Sequence, residues 1–141
     1  MTLEELISRQ QITDLGVAYA NSAGAHDWAA YEAVFTPDAV VDYTSAGGIA
    51  GTPAEAAKWL AATLSIFDLS FFQPTNTEIR FESADRATVL SLFNTVMRIP
   101  GADGAAPTYL RAGGHYDDVV VTVDGVWKIA SRTERFAFAQ M

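Results

Sequence analysis

The chain has 141 residues, a net charge of −8 and an apolar content of 50%, with a mean hydropathy of +0.12, which describes one globular domain able to bury a core and excludes disorder. The acidic balance excludes a nucleic-acid surface, which needs a basic face, and the absence of cysteine excludes disulfides and thiolate metal sites and suits a reducing cytoplasm. The acidic opening, Met1 to Glu5, is unlike a signal peptide and no apolar run reaches membrane-spanning length, so a cytoplasmic protein without a membrane partner is expected.

Thr2-Leu3-Glu4-Glu5 has the form of a capping box at a helix start. Ile12, Leu15 and Tyr19 follow at helical spacing, which predicts an amphipathic helix to about Ala23, closed by Gly24, with Tyr19 on its buried stripe. Asp27 caps a short second helix, Trp28 to Phe35. Thr36-Pro37-Asp38 reads as a turn into a strand, Ala39 to Thr44. Val41 and Tyr43 share one face of that strand, while Asp42 has the opposite parity and is expected in solvent. After a Gly47-Gly48 turn, Thr52-Pro53-Ala54-Glu55 forms a second capping box with proline at the first helical position. Ala57, Leu60, Leu64 and Phe67 supply the buried stripe of the third helix.

From there the period changes. Strands are expected at about Ser70–Glu82, Arg86–Ile99, Tyr109–Val123 and Val126–Phe138, with tight turns at Ser83-Ala84-Asp85 and Asp124-Gly125 and a loop from Pro100 to Pro107. Helices first and then a meander of long strands predict an α+β fold. The strands are apolar on both faces: Val89, Leu90, Leu92, Phe93, Val96 and Met97 occupy both parities of one run. A sheet with one solvated face would alternate, so both faces need cover, from the helices and from a ligand or a second subunit.

Several segments then acquire meaning together. Ser8 to Leu15, His26-Asp27-Trp28, Phe35 to Tyr43, Thr75-Asn76, Gly113-Gly114-His115-Tyr116-Asp117-Asp118 and Asp124-Gly125-Val126-Trp127-Lys128 resemble, in order and spacing, the SnoaL-like branch of the nuclear transport factor two superfamily. That branch includes scytalone dehydratase, hexachlorocyclohexane dehydrochlorinase and polyketide cyclases. The resemblance implies a cone of curved sheet around three helices and an apolar pocket, with a homodimer through the sheet's outer face. It departs at the chemistry. The family's dehydratases and dehydrochlorinases use an Asp–His dyad, and the matching positions here are Gly24 and Phe72; a second pocket histidine falls near Met97. None of the three offers a lone pair for proton abstraction.

The resemblance places Tyr19, Tyr43 and Tyr116 in the pocket, with Tyr19 at the site of an oxyanion-hole tyrosine of ketosteroid isomerase. A buried phenol can hold a carbonyl or developing oxyanion; equally, each can be a core aromatic with a backbone partner. Asp118 shares a face with Tyr116 and is either a proton carrier with a pKa raised by burial or the ion-pair partner of Arg132 or Arg135. His26 is expected in an exposed loop, and His115 on the outer face, away from Tyr116. The two histidines lack a metal-binding spacing. Of Asn94 and Ser91, which differ in parity, at most one faces the pocket.

Two functions fit. One is a cofactor-free isomerase, lyase or cyclase acting on an apolar or cyclic carbonyl compound, with Tyr19 and Tyr43 polarising the carbonyl, Asp118 moving a proton, and Val41, Phe72, Met97 and Tyr116 lining the site. The other is a non-catalytic protein that binds an apolar small molecule.

Overall fold

The computed structural model describes all residues, Met1–Met141. Its elements in chain order are α1 (Leu3–Gly24), α2 (Trp28–Ala33), β1 (Phe35–Asp42), β2 (Ala50–Gly51), α3 (Pro53–Thr63), β3 (Leu69–Ser83), β4 (Arg86–Ile99), β5 (Thr108–Val123) and β6 (Val126–Gln140). Single 3₁₀ turns lie at Thr44–Ala46 and Leu64–Ile66. The six strands form one sheet in the order β2-β1-β6-β5-β4-β3. All neighbours are antiparallel except β1 and β6, which run parallel. The fold is α+β, a curved mixed sheet closed over its helices.

Local chemistry sets the boundaries. Thr2 caps α1 by accepting from the Glu5 N–H, but Glu5 turns to Arg9 instead of completing the box. Thr52 and Glu55 complete theirs at α3, and Asp27 caps α2. Helix α2 ends at Ala33 rather than Phe35, because Val34 and Phe35 are already taken by β6: the Ile129 N–H donates to the Val34 carbonyl and Phe35 pairs with Ile129. The expected turn at Thr36-Pro37-Asp38 is therefore part of β1, in a register break between Phe35 and Val40 where a proline without an N–H costs no ladder bond. Strand β1 stops at Asp42, whose carboxylate accepts from the Thr44 N–H and hydroxyl and bends the chain away from the sheet. Helix α3 stops at Thr63, and the 3₁₀ turn carries Leu64 into the core.

The core lies between the helices and the concave face of the sheet. Tyr31, Val41, Val120, Ile129 and Tyr43 are its most buried large side chains. Strand β4 sorts cleanly by parity: Ala87, Val89, Ser91, Phe93, Thr95 and Met97 point in, and Leu90, Leu92 and Asn94 point out. Leu90 and Leu92 are 40% and 41% exposed, so the outer face does carry uncovered apolar side chains. Strand β6 does not keep a single parity. Val119 faces Ser131 while Val120 faces Ile129, leaving Ala130 between them as a bulge. Trp127 and Ile129 point inward before it, and Arg132 does so after it. Gly114 is demanded by close approach, since a Cβ there would lie 2.0 Å from the Arg135 carbonyl oxygen.

Candidate functional site

Four tyrosines from four segments meet under the sheet. Tyr19 comes from the buried stripe of α1, Tyr31 from α2, Tyr43 from the end of β1 and Tyr116 from the inner face of β5. The Tyr43 hydroxyl is hydrogen-bonded to Tyr19 at 2.5 Å and to Tyr31 at 2.6 Å. The ring of Tyr116 lies edge-on to Tyr19, with centroids 5.5 Å apart, and stacks on Phe93 at 4.6 Å. Burial raises all four phenols above the ordinary tyrosine range, so they stay protonated and act as neutral donors in series.

Arg132 crosses this cluster. Its guanidinium carbon sits 4.0 Å from the ring centres of both Tyr19 and Tyr116. Its Nε and Nη2 donate to the carboxylate of Asp118 at 2.8 and 2.7 Å, and both side chains are almost fully buried. Burial pushes the guanidinium down, but Asp118 outweighs it and Arg132 remains charged. Of the two ion-pair partners open to Asp118, Arg132 is the one used; Arg135 points outward to Asp117. Both oxygens of Asp118 are thus engaged by Arg132, the ion-paired alternative of the two open to it.

The remaining carboxylate near the cluster is Glu134. It stands opposite Tyr116 in the β5–β6 pairing, half-buried. Burial raises its carboxyl to about 7, against the smaller opposing pull of the Arg132 charge and the Tyr116 hydroxyl. Ser45 in the turn after β1 donates to the Glu134 carbonyl and accepts from the Phe136 N–H, which clamps this part of β6. Glu134 is not apparent from sequence parity. Counting by twos from Trp127 and Ile129 puts residue 134 outside, and only the bulge at Ala130 turns it in. Counting back from the Asp124-Gly125 turn pairs Tyr116 with Thr133, so no signal in the sequence reveals it.

Two cavities meet at this wall. The front one, about 230 Å³, is enclosed by α3, its following turn and the sheet, with Trp59, Leu60, Phe67, Met97, Leu110 and Phe136 among its lining. Glu134 is its one charged side chain. The rear one, about 90 Å³, lies between the middle of α1 and the sheet and contains Tyr19, Asp118 and Arg132. Phe72 and Tyr116 line both.

The expected site residues thus divide. Met97, Phe72 and Tyr116 line the front cavity; Tyr19, Asp118, Phe72 and Tyr116 line the rear one. Val41 and Tyr43 line neither and are fully buried core, with Tyr43 acting on the others through its hydroxyl. The dyad positions are adjacent: a Cβ on Gly24 would lie 3.6 Å from the Phe72 ring and 3.1 Å from the Ser70 carbonyl oxygen. The closer of the two approaches is to the Ser70 backbone, and the Phe72 ring stands at ordinary contact distance. Ser91 faces the rear cavity and Asn94 faces outward, exposed. His26 is exposed and stacks on Trp28; His115 lies on the outer face, 3.4 Å from Asp117. No helix is long and apolar enough to cross a membrane.

Known proteins show the same architecture. The chain is 28% identical, over its whole length and 93% of the relative's, to an uncharacterised protein of Mycobacterium tuberculosis. A crystal structure from Novosphingobium aromaticivorans, assigned as a scytalone dehydratase, superposes with a TM-score of 0.85 at 24% identity, covering 99% of this chain and 91% of that one. The hexachlorocyclohexane dehydrochlorinase LinA-type3 of Novosphingobium barchaimii gives 0.82 at 19% identity, covering 98% and 92%. A cystatin-like protein of unknown function from Nostoc punctiforme gives 0.72 at 20%, covering 92% and 91%. The SnoaL-like domain matches residues 4–133, nearly the entire cone with its tyrosine cluster, and the chain belongs to that family.

Proposed function

We propose that the front cavity binds an apolar carbonyl compound and that Glu134 moves a proton at the carbon next to the carbonyl. The observation that carries this reading is one carboxyl, with a pKa of about 7, in an otherwise uncharged cavity beside a neutral phenol. A base works best with a pKa near the working pH. The ionised Glu134 takes a proton from the α-carbon, and the electron pair moves onto the carbonyl oxygen. The Tyr116 hydroxyl donates to that oxygen as charge develops. Tyr19, Tyr43 and Tyr31 stand behind it as a fixed chain of dipoles. The same carboxyl then returns the proton to a second carbon, a leaving group departs from the β-carbon, or the α-carbon attacks a second carbonyl of the same ligand, whose oxygen takes the proton; the outcomes are isomerisation, elimination or cyclisation, with no cofactor taking part in the proton movement. Glu134 thereby takes the role expected of Asp118, which holds Arg132 instead. The cavity is smaller than the roughly 300–1,000 Å³ of drug-sized sites, so the ligand is compact.

The test uses α-proton exchange. A simple cyclic ketone such as cyclohexanone in deuterium oxide should exchange its α-protons in the presence of the protein, followed by NMR. The rate should rise with pH and reach half its plateau near pH 7. Glu134→Gln should lower it by about 10²-fold or more, and Tyr116→Phe by about 10²-fold. Undiminished exchange by folded Glu134→Gln would remove the proposal. Ketone binding with no exchange at any pH would favour the second reading, a binding protein, which the loss of the dyad at Gly24 and Phe72 supports.

A further inference from the structure

The front and rear cavities share a wall made by Phe72 and Tyr116. Tyr116 is fixed by its stack on Phe93 and by the guanidinium against its face. Phe72 has no such restraint, being half-buried on β3, the edge strand of the sheet, with bare Gly24 beside its ring. The rear cavity has an unusual roof. Gly16 lines it from the middle of α1, and a Cβ built there meets nothing within 4 Å. A glycine inside a helix costs about 0.5–1 kcal/mol relative to alanine, and no close contact here requires it. Its absence of a side chain leaves room in a chamber that a larger residue would fill. The floor of that chamber is neutral as a whole, because Asp118 balances Arg132.

We propose that the two cavities are compartments of one ligand site, partitioned by the Phe72 ring, and that Phe72 sets the length of ligand accepted. The ligand class is an uncharged, largely apolar carbonyl compound. Its carbonyl lies with Tyr116 and Glu134 in front, and its tail is stopped at Phe72. Displacing the ring opens the space under Gly16. This rests on the front-cavity reading for the carbonyl end, but its readout is binding length and not turnover.

A homologous series of 2-alkanones, titrated against the fluorescence of Trp59, which lines the front cavity, gives the chain length of tightest binding. Each added carbon occupies on the order of the ~30 Å³ of a liquid water, and the rear cavity holds about 90 Å³. Phe72→Ala should therefore shift the optimum longer by at least about three carbons, the space vacated by the ring adding to that of the chamber. Gly16→Leu should leave the wild-type optimum unchanged but reduce the shift when combined with Phe72→Ala. Phe72→Leu, a milder change, should show a smaller shift in the same direction and serves if the alanine variant does not fold. An unchanged optimum in folded Phe72→Ala or Phe72→Leu would overturn the partition. So would a shortened optimum in Gly16→Leu alone, which would show the chambers already joined. Loss of α-proton exchange with these length shifts intact would overturn the Glu134 chemistry and leave the partition standing.

Discussion

Glu134 and Asp118 are two carboxylates under the same sheet with opposite fates. Asp118 is matched by a bidentate guanidinium, so its charge is part of the structure. Removing one partner of such a buried pair leaves an uncompensated charge and typically costs about 3–5 kcal/mol. Asp118→Ala should show that loss in urea denaturation, whatever its effect on chemistry. Glu134 lacks such a match and its carboxyl rises from 4.5 to about 7 in the folded protein. A raised carboxyl binds its proton more tightly when folded, so its contribution to stability is complete below about pH 4.5 and is lost as pH rises through about 7. The wild type should therefore lose on the order of 2 kcal/mol relative to Glu134→Gln across that window, measurable as crossing pH profiles of unfolding free energy. The burial of Tyr19 was legible in its helix stripe, while Tyr116 and Phe72 were placed beside it by the family resemblance; all three line the rear cavity. Glu134 was not legible, because its orientation depends on one unpaired residue upstream.

At the scale of elements, the long strands β4 and β5 are written in their apolar, β-branched runs between turns, and α1 in its stripe and Thr2 cap. The junction from α2 to β1 is not. Phe35 to Asp38 looks like a helix end and a turn, yet a partner strand more than ninety positions later in the chain captures it through Ile129. Non-local pairing of this kind overrides local preference. The short strand β2 is equally silent in the sequence, being held by two pairs to β1. Helix α1 carries its own test. Gly16→Ala adds a side chain into open space within a helix interior, and should raise the unfolding free energy by about 0.5–1 kcal/mol. No gain in thermal or urea denaturation would mean that this glycine serves the helix itself.

For the whole molecule, the excess of apolar residues divides between two faces. The concave face closes over the helices, the tyrosines and both cavities. The convex face keeps Leu90 and Leu92 about two-fifths exposed and Phe71 58% exposed. We propose that this face meets a second copy of the chain, which would cover these exposed apolar side chains while the polar groups between them, Asp117 and His115 among them, pair across the contact. Light scattering at micromolar concentration should give twice the monomer mass of 15.2 kDa, and Leu90→Glu with Leu92→Lys should return it to the monomer value. A monomer mass for the unaltered protein would contradict the assembly.

The bulge at Ala130 makes β6 two strands in one. Its first half packs Trp127 and Ile129 into the core, and its second half presents Arg132 and Glu134 to the cavities. Side chains alternate with a period of two, so drawing Ala130 into regular pairing opposite Val119 would keep the first half in place and turn the second inside out, whereas deleting it would leave both halves in phase. That slipped register would export a guanidinium and a carboxylate to solvent and bring Ser131, Thr133 and Arg135 inward. One small residue thus acts as a phase shifter, separating what the strand must conserve to fold from what it is free to vary as chemistry.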